Sequence, residues 1–392
     1  MTGKEISARL AGRAAEIGAA RWNACANPGG GADPHPFTRY EFFVALEESG
    51  SAATDTGWRP LHLVVERDSG IEGILPLYLK SHSLGEFVFD HVWADALMRA
   101  GGSYYPKLQA GVPFTPVTGR RLLVAAEADE AATRTALLAA GEATVKELKT
   151  SSLHITFLTE QEWREAGEFG YLQRTDRQFH WENRGYANFD EFLGDLSSSK
   201  RKNLRKERSS VREAGVEFDW LTGRDISEAH WDAFFDFYMD TGGRKWGTPY
   251  LTREFFSRIG QSMPEQILLV MARRGGRPIA GALNLSGEGV LFGRNWGCRE
   301  FVPFLHFETC YYQAIEFAIA RGLRKVEAGA QGEHKLLRGY QPVPTYSAHY
   351  IAHAGLRRAV ADYLQAEREA VAENIEELAE QGPFRKATPE GE

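Results

Sequence analysis

The sequence predicts an α/β (α+β) protein built from two similar halves, each with a mixed central sheet. Apolar, strand-like runs alternate with helical patterns along its 392 residues, and several short segments recur in the same order in both halves. The composition is that of a soluble globular chain, with 43% hydrophobic and 25% charged residues. The length is sufficient for two domains with separate cores, and no apolar run approaches the ~20 residues that span a bilayer.

The N-terminal segment is the first predicted element. Ile6, Leu10, Ala14 and Ile17 recur at helical spacing, which predicts an amphipathic helix packed on the domain. The segment has neither the apolar core nor the cleavage site of a secretory signal.

An internal sequence repeat, here called the echo, predicts the next elements. The segment FTRYEFFVAL (37–46) returns as LTREFFSRI (251–259), and each copy precedes two apolar, β-rich runs joined by a charged turn that contains glycine. These runs, at 61–80 and 267–286, have the pattern of β-hairpins. Each half should therefore contain a helix followed by a hairpin.

The echo continues with a loop, a helix and a strand. GVPFTP in the first half is matched by FVPFLH in the second. A helical pattern follows each, near 131–149 and near 307–321, and then a short strand, LHITFL or LRKVEAG. The shared order predicts duplicated domains over 1–170 and 171–392.

Three stretches carry a resemblance to a known family: GEFVFDHVWADA, YYPKLQAGVPFTPVTGRRLL and HFETCYYQAIEFAIARGLRKVEAGAQGEHKLLRGYQPV. Together they resemble the FemAB-like family of predicted bacterial N-acyltransferases over nearly the whole chain. The resemblance implies two tandem domains with the GNAT acyltransferase fold. It also implies transfer of an acyl group from a thioester, on coenzyme A or an acyl carrier protein, to an amine acceptor.

Three other functions stay open. One is FemAB-type aminoacyl transfer from tRNA to a peptidoglycan precursor, although the chain lacks the coiled-coil arm that several Fem ligases insert. Another is attachment of a long-chain acyl group to a lipid amine. The third is a non-catalytic GNAT-like scaffold that only binds peptidoglycan or lipid, a view favoured because the usual glycine-rich phosphate loop is not present.

The densest group of reactive residue types is EAGAQGEHKLLRGYQPV (327–343). Its glycines predict a tight loop after a strand. Glu333 or His334 could take the proton of an attacking amine, while Lys335 and Arg338 could hold phosphate or the developing oxyanion. Glu308 is the second candidate for the base, and capping of its own helix is the alternative.

The junction that follows a predicted strand in the second half is where the GNAT resemblance implies the coenzyme A pyrophosphate would bind. Arg294 and Asn295 lie at that strand end, and the next helix should start near Leu305. On that helix, Tyr311 and Tyr312 are adjacent, so only one of them should face inward. A coenzyme A thioester is therefore expected as co-substrate.

A basic run occupies 196–215 of a chain with net charge −7. It begins with serines suited to an N-cap and predicts an amphipathic helix with a cationic outer face. Lys200, Arg201 and Arg205 are candidates for holding an anionic donor, or a lipid phosphate at a membrane surface. A solvated charged face is the alternative, and nucleic acid is less favoured because the run lacks interleaved aromatics.

Two further segments are candidates for binding the substrate. The loop GGRKWGTPYLTREFF offers Arg244 and Trp246 beside glycines, with a surface turn as the alternative. In the first half, aromatic and charged residues cluster in a way that suggests a substrate pocket or, alternatively, a packed core. They are Asp90, His91, Trp93, Tyr104, Tyr105 and Lys107. No third ligand accompanies the acidic and histidine side chains at metal-site spacing, so we expect no metal.

The cysteines indicate the compartment. Cys25, Cys298 and Cys310 are odd in number and show no metal-ligand spacing. They fit a reducing cytoplasm, and the basic run would allow peripheral contact with the inner face of the membrane.

Overall fold

The structure is a computed structural model that describes residues 6–68, 70–245, 249–329 and 332–385. Its strands are β1 (Ser7–Ala11), β2 (Trp58–Pro60), β3 (His62–Arg67), β4 (Gly70–Leu75), β5 (Leu77–Lys80), β6 (Lys107–Ala110), β7 (Leu123–Val124), β8 (Ser152–Leu158), β9 (Leu172–Glu182), β10 (Val216–Thr222), β11 (Ile267–Arg274), β12 (Arg277–Gly287), β13 (Val290–Cys298), β14 (Lys325–Glu327) and β15 (Gln341–Ile351). Its α-helices are α1 (Ala14–Ile17), α2 (Ala19–Ala26), α3 (Tyr40–Glu48), α4 (His91–Arg99), α5 (Glu130–Glu147), α6 (Glu160–Phe169), α7 (Phe189–Asp195), α8 (Ser198–Glu213), α9 (Glu228–Lys245), α10 (Arg253–Ser262), α11 (Leu305–Phe307), α12 (Gln313–Ala320) and α13 (Ala354–Glu380). Short 3-10 helices occur at Gly223–Asp225, Pro264–Gln266 and Glu333–Arg338, and Glu308–Tyr312 forms a π-helical turn.

The first compact unit comprises 1–176, 250–262 and 344–372. Strands β1, β3, β4 and β7 form one antiparallel sheet, and β15, β8, β6, β5 and β2 are neighbours in a mixed arrangement in which β6 and β8 are parallel. Helix α5 contributes Leu137 and Val145 to the apolar core that Leu63 and Leu153 of the strands complete. Burial of such aliphatic side chains supplies most of the favourable free energy of folding.

The second compact unit comprises 177–249, 263–343 and 373–392. Its strand order is β10, β11, β12, β13, β14, β9, with β13 and β14 parallel and the other neighbours antiparallel. Trp181, Phe192 and Tyr340 are among the large members of its core. The mixed sheets of both units confirm the predicted sheet type.

Most of the predicted elements are confirmed, and one is wrong. The hairpins are β3–β4 and β11–β12, and the basic run forms α8 with Leu204 and Val211 buried. The predicted N-terminal helix is wrong over Ser7–Ala11, which pairs antiparallel with β3 from Ser7↔Glu66 to Ala11↔His62. The segment forms a strand because pairing with the edge of β3 provides hydrogen-bond partners for its backbone N–H and C=O groups. A short isolated helix would be only marginally stable.

The echo is also visible in backbone conformation. Phe114 and Phe304, the last residues of the two VPF tripeptides, have φ of 59° and 65°. A left-handed conformation is unusual for a bulky residue, so its recurrence at matched positions supports the predicted duplication.

The compact units are discontinuous in the chain. Helix α10, which lies in the second copy of the echo, packs on α3 of the first unit, where the rings of Phe255 and Phe42 meet at 5.7 Å. Thr252 also bonds to Ser51 and to the Ser49 carbonyl. The compact units are defined by contacts in space, whereas the predicted domains were defined by repeats along the sequence. The predicted domain boundary at 170/171 therefore stays a prediction.

Candidate functional site

The parallel pairing of β13 and β14 in the sheet of the second unit is short, because β14 ends at Glu327. Their parallel register ends at Phe292↔Glu327, whereas β13 continues to Cys298 alongside β12. Gly293 is the first residue after the paired part, and a Cβ there would lie 3.3 Å from the Glu327 carbonyl oxygen. Glycine therefore permits the close approach of the two backbones just beyond the last paired residues.

A 3-10 helix over Glu333–Arg338 follows β14 and carries His334 and Lys335, and Lys335 bonds to the Gly329 carbonyl just after that strand. The helix lies between Gly332 and Gly339, whose φ values of 107° and 92° favour glycine. A Cβ on Gly332 would lie 2.2 Å from the His334 ring. The ring is held there by a 2.9 Å hydrogen bond between its Nε2 and the Tyr311 hydroxyl.

Partial burial and two neighbouring cations favour the neutral form of the His334 imidazole. Partial burial lowers the pKa of His334, and the cations of Arg338 and Lys335 lower it further. Lys335 itself is buried and donates a 2.7 Å hydrogen bond to the Gly329 carbonyl. It pairs with no carboxylate of the described residues, and burial lowers the pKa of its ammonium to about 7.

Arg338 holds the 3-10 helix in place through its side-chain contacts. Its guanidinium pairs with Glu207 at 2.8 Å, donates to the His334 carbonyl at 2.6 Å and stacks 3.5 Å from the Phe307 ring centroid. Tyr312 also donates to Glu207. These bonds suit a residue that positions His334, and binding of a donor phosphate by Arg338 stays a prediction.

The two glutamates proposed as alternative bases lie in other environments. Glu308 is buried and accepts bonds from Arg208 at 3.0 Å and from Gln313 at 2.8 Å. Burial raises the pKa of Glu308, although Arg208 opposes this. The Glu333 side chain is exposed and pairs with Arg177 at 3.2 Å. Neither carboxylate forms the contact with Tyr311 that His334 makes.

Sequence reasoning missed Glu327 and His180. Glu327 is buried at the end of β14, and its Oε1 pairs with Lys325 at 2.6 Å. Its Oε2 lies 3.7 Å from His180 Nε2 and accepts no hydrogen bond from a described residue. A glutamate at the end of a short strand, directly before a loop that contains glycine, was the available signal. Arg294 lies close enough on β13 for Glu327 to oppose the lowering of its pKa to about 10 by burial. Asn295 follows Arg294 on β13 and is partly exposed.

An aromatic groove of about 420 Å³ adjoins the polar cluster of His334, Tyr311, Lys335 and Arg338. His306 belongs to both, because it lines the groove while its ring lies 6.2 Å from the ring of His334. The lining residues are Thr241, Trp296, Cys298, Glu300, Phe301, Val302, Phe304, Leu305, His306 and Phe307.

The helix beside the groove begins with unusual backbone. Phe304 has a left-handed φ of 65°, and Glu308–Tyr312 is π-helical. Such features concentrate at functional sites. The expectation that only one of Tyr311 and Tyr312 faces inward is wrong, since both are buried. The wider π-turn and the packing of α8 beside it give both rings an interior position.

The outer face of α8 remains cationic. Lys200 and Arg201 form no ion pair with a described residue, and Arg205 lies 3.5 Å from Asp190 with both side chains exposed. Arg208 is an exception, because it pairs internally with Glu308. Across the described ranges, no helix combines the length and apolarity needed to cross a bilayer.

The first unit buries part of the predicted substrate cluster in a charged network. Lys107 donates to Glu86 at 2.6 Å and to Asp90, and Tyr104 donates to Asp90 at 2.7 Å. Burial opposes the charge of Lys107, but the two carboxylates outweigh it and raise its pKa. Burial also raises the pKa of Glu86 to about 7. The Tyr104 hydroxyl lies 3.2 Å from His154.

The remaining members of that cluster are divided between core and surface. Trp93 is buried beneath the Arg174 guanidinium, 5.3 Å from its ring centroid. Tyr105 is partly buried and bonds to Ser83 at 2.8 Å, whereas His91 is exposed. The structure therefore brings Asp90, Trp93, Tyr104, Tyr105 and Lys107 together and leaves His91 outside. Their role in substrate binding stays a prediction.

The last predicted binding segment is corrected in part. Arg244 lies in α9 and not in a loop, because that helix extends to Lys245. Trp246 lies outside the described residues.

Comparisons with known proteins agree with this architecture. A model of the FemAB-like family, described as peptidoglycan biosynthesis/recognition, matches residues 13–386. The crystal structure of FemX is similar with a TM-score of 0.54 at 12% identity, covering 86% of this chain and 98% of that chain. L-PGS from Bacillus licheniformis has a TM-score of 0.50 at 11% identity, with 86% and 98% covered.

A tandem GNAT protein from the clavulanic acid biosynthesis pathway has a TM-score of 0.49 at 11% identity, with 89% and 99% covered. No curated protein matches the chain significantly. The family match and the likeness to FemX confirm the predicted α/β class with tandem GNAT-like domains.

Proposed function

Because the chain belongs to the FemAB-like family of peptidoglycan biosynthesis and recognition proteins, an acyl/aminoacyl transferase family, we propose that it is an N-acyltransferase. It would move an acyl group from a thioester, on coenzyme A or an acyl carrier protein, to an amine. The observation that carries this proposal is the His334–Tyr311 pair next to a buried lysine and an aromatic groove. Acyl transfer needs a base for the amine, a positive group for the oxyanion and a place for the acyl group.

His334 is the proposed base. Its pKa is lowered by partial burial, so the ring is neutral near neutral pH and can accept a proton. In the tautomer with the proton on Nε2, the ring donates to the Tyr311 oxygen and leaves the Nδ1 lone pair for the amine proton. The amine nitrogen then bonds to the carbonyl carbon, the C–S bond breaks, and the thiolate leaves with its electron pair.

Lys335 is proposed to stabilise the oxyanion. Its ammonium is held in a buried position with no described carboxylate to neutralise it. A desolvated, fixed positive charge interacts with a developing negative charge more strongly than one in water. The pKa of about 7 means that part of the population carries this charge at neutral pH.

The cationic face of α8 is proposed to attract the anionic part of the donor. Arg205 is exposed on α8 and Lys200 and Arg201 are partly exposed, and their summed field would favour the phosphates of coenzyme A or an acidic carrier protein. We propose a cytoplasmic location, where such donors occur.

Substitution of His334 tests the proposal. We expect His334→Ala to lower turnover about a hundredfold, the scale expected for loss of a general base, with an unchanged fold by circular dichroism. His230→Ala is the matched control, since His230 is a partly exposed histidine of the same unit whose Nδ1 accepts a hydrogen bond from the Ser227 backbone N–H just before α9. Turnover equal to that of the wild type in the His334 variant would remove His334 from the reaction.

Aminoacyl transfer from tRNA is the second candidate, favoured by the same α8 face. RNA phosphates would bind its unpaired cations as well as a coenzyme would. Ribonuclease treatment separates the two functions, because only tRNA-dependent transfer would be lost.

A further inference from the structure

The groove of the second unit is apolar next to a polar site. Trp296, Phe304 and Phe307 form much of its wall, and its described lining contains neither lysine nor arginine. Its volume of about 420 Å³ is within the usual range for small-molecule sites. The charged part of a donor would find no counter-ion here, whereas a hydrocarbon group would be desolvated against aromatic rings.

Two lining residues relate the groove to the polar site and to solvent. Phe301 is 92% exposed, which is unfavourable for a phenyl ring unless a ligand covers it. His306 also lines the groove, and its ring lies 6.2 Å from the ring of His334. A chain whose reactive end lies at His334 would therefore have its tail along the groove toward Phe301.

The matched position in the first unit is filled. Phe114 has the same left-handed backbone as Phe304, but Tyr250 stacks on its ring at 4.8 Å and Trp58 lies at 5.2 Å. Phe114 is buried, whereas Phe304 is 37% exposed. The strained phenylalanine therefore borders an open groove in the second unit, while packing closes the corresponding place in the first.

We propose that the groove holds the hydrocarbon chain of the transferred acyl group, so that the donor is a medium- or long-chain acyl thioester. The inference rests on the proposed transfer at His334. It adds that the second unit recognises the length of the acyl chain. The recognising surface is the groove wall formed by β13 and α11.

Binding of straight-chain saturated fatty acids of increasing length to the full chain tests the groove without requiring transfer. We expect affinity by calorimetry to rise up to about fourfold per added methylene, the increment for burying one methylene. The rise should stop when the groove is full. Cys298→Trp, which fills the groove from β13, should move this limit to shorter chains.

Val44→Trp is the matched control. Val44 lines a separate groove of about 260 Å³ in the first unit, and tryptophan there should leave the length limit unchanged. If the Cys298 variant does not fold, alkylation of Cys298 in the wild type, mapped by mass spectrometry, gives the same information. A bound chain should slow modification of Cys298, because its side chain lines the groove.

The outcomes separate the two proposals. Affinity independent of chain length, or alkylation of Cys298 unaffected by fatty acid, would overturn the groove assignment. If the wild type transfers acetyl and long-chain groups from thioesters equally well, the groove assignment fails and the transfer stands. Length-dependent binding without turnover of any thioester would refute the transfer and, with it, the acyl donor as occupant.

Discussion

Lys335→Met should stabilise the protein, and the effect should depend on pH. Burial lowers the pKa of Lys335 from 10.5 to about 7, and a tenfold change in the protonation equilibrium corresponds to ~1.4 kcal/mol. The buried ammonium therefore costs the fold about 5 kcal/mol below pH 7. Since the folded pKa is depressed, this cost decreases as pH rises from about 7 toward the unfolded value and is about 2 kcal/mol near pH 9.

The net expectation subtracts the hydrogen bond that methionine cannot make. Loss of the bond to the Gly329 carbonyl offsets about 1 kcal/mol. We therefore expect the free energy of unfolding of Lys335→Met to exceed that of the wild type by about 4 kcal/mol near pH 6 and about 1 kcal/mol near pH 9. Urea unfolding followed by tryptophan fluorescence at both pH values measures the difference.

Lys107→Met is the matched control with the opposite expected sign. Lys107 is equally buried but pairs with Glu86 and Asp90, so its removal leaves two buried carboxylates with only Lys80, 3.7 Å from Glu86, to offset them, and should cost about 3–5 kcal/mol. Loss of stability in Lys335→Met near pH 6, or a gain that does not change with pH, would refute the environment assigned to Lys335.

Two further predictions concern activity. With increasing pH, kcat/KM should first rise, at pH values below 6.5, as His334 loses its proton. It should then fall above about pH 7 as Lys335 loses its proton. Lys335→Arg should remove the falling limb, and a wild-type profile that stays flat above pH 7 would exclude an ammonium role for Lys335. Lys206→Glu, on the outer face of α8, should raise KM for the thioester about threefold at low salt and less at high salt. Lys146→Glu on α5 should have no effect, and equal effects of the two variants would show that α8 has no special role.

The sequence predicted local structure well where local physics decides it. Hydrophobic periodicity marked α8, with its buried Leu204 and Val211, and turn chemistry marked the β11–β12 hairpin. The strand Ser7–Ala11 was missed, because its register with β3 depends on a partner more than fifty residues away along the chain.

For the candidate site, too, some features could be predicted from local sequence and others depend on tertiary contacts. The sequence by itself proposed His334 and Lys335 as candidates, because reactive residue types next to glycines after a strand are a local signal. Only the tertiary structure decided that Tyr311 orients His334, that Glu308 pairs with Arg208, and that the Lys335 ammonium lacks a carboxylate partner among the described residues. Burial and charge pairing set these properties, and both arise from contacts between segments that are distant in the chain.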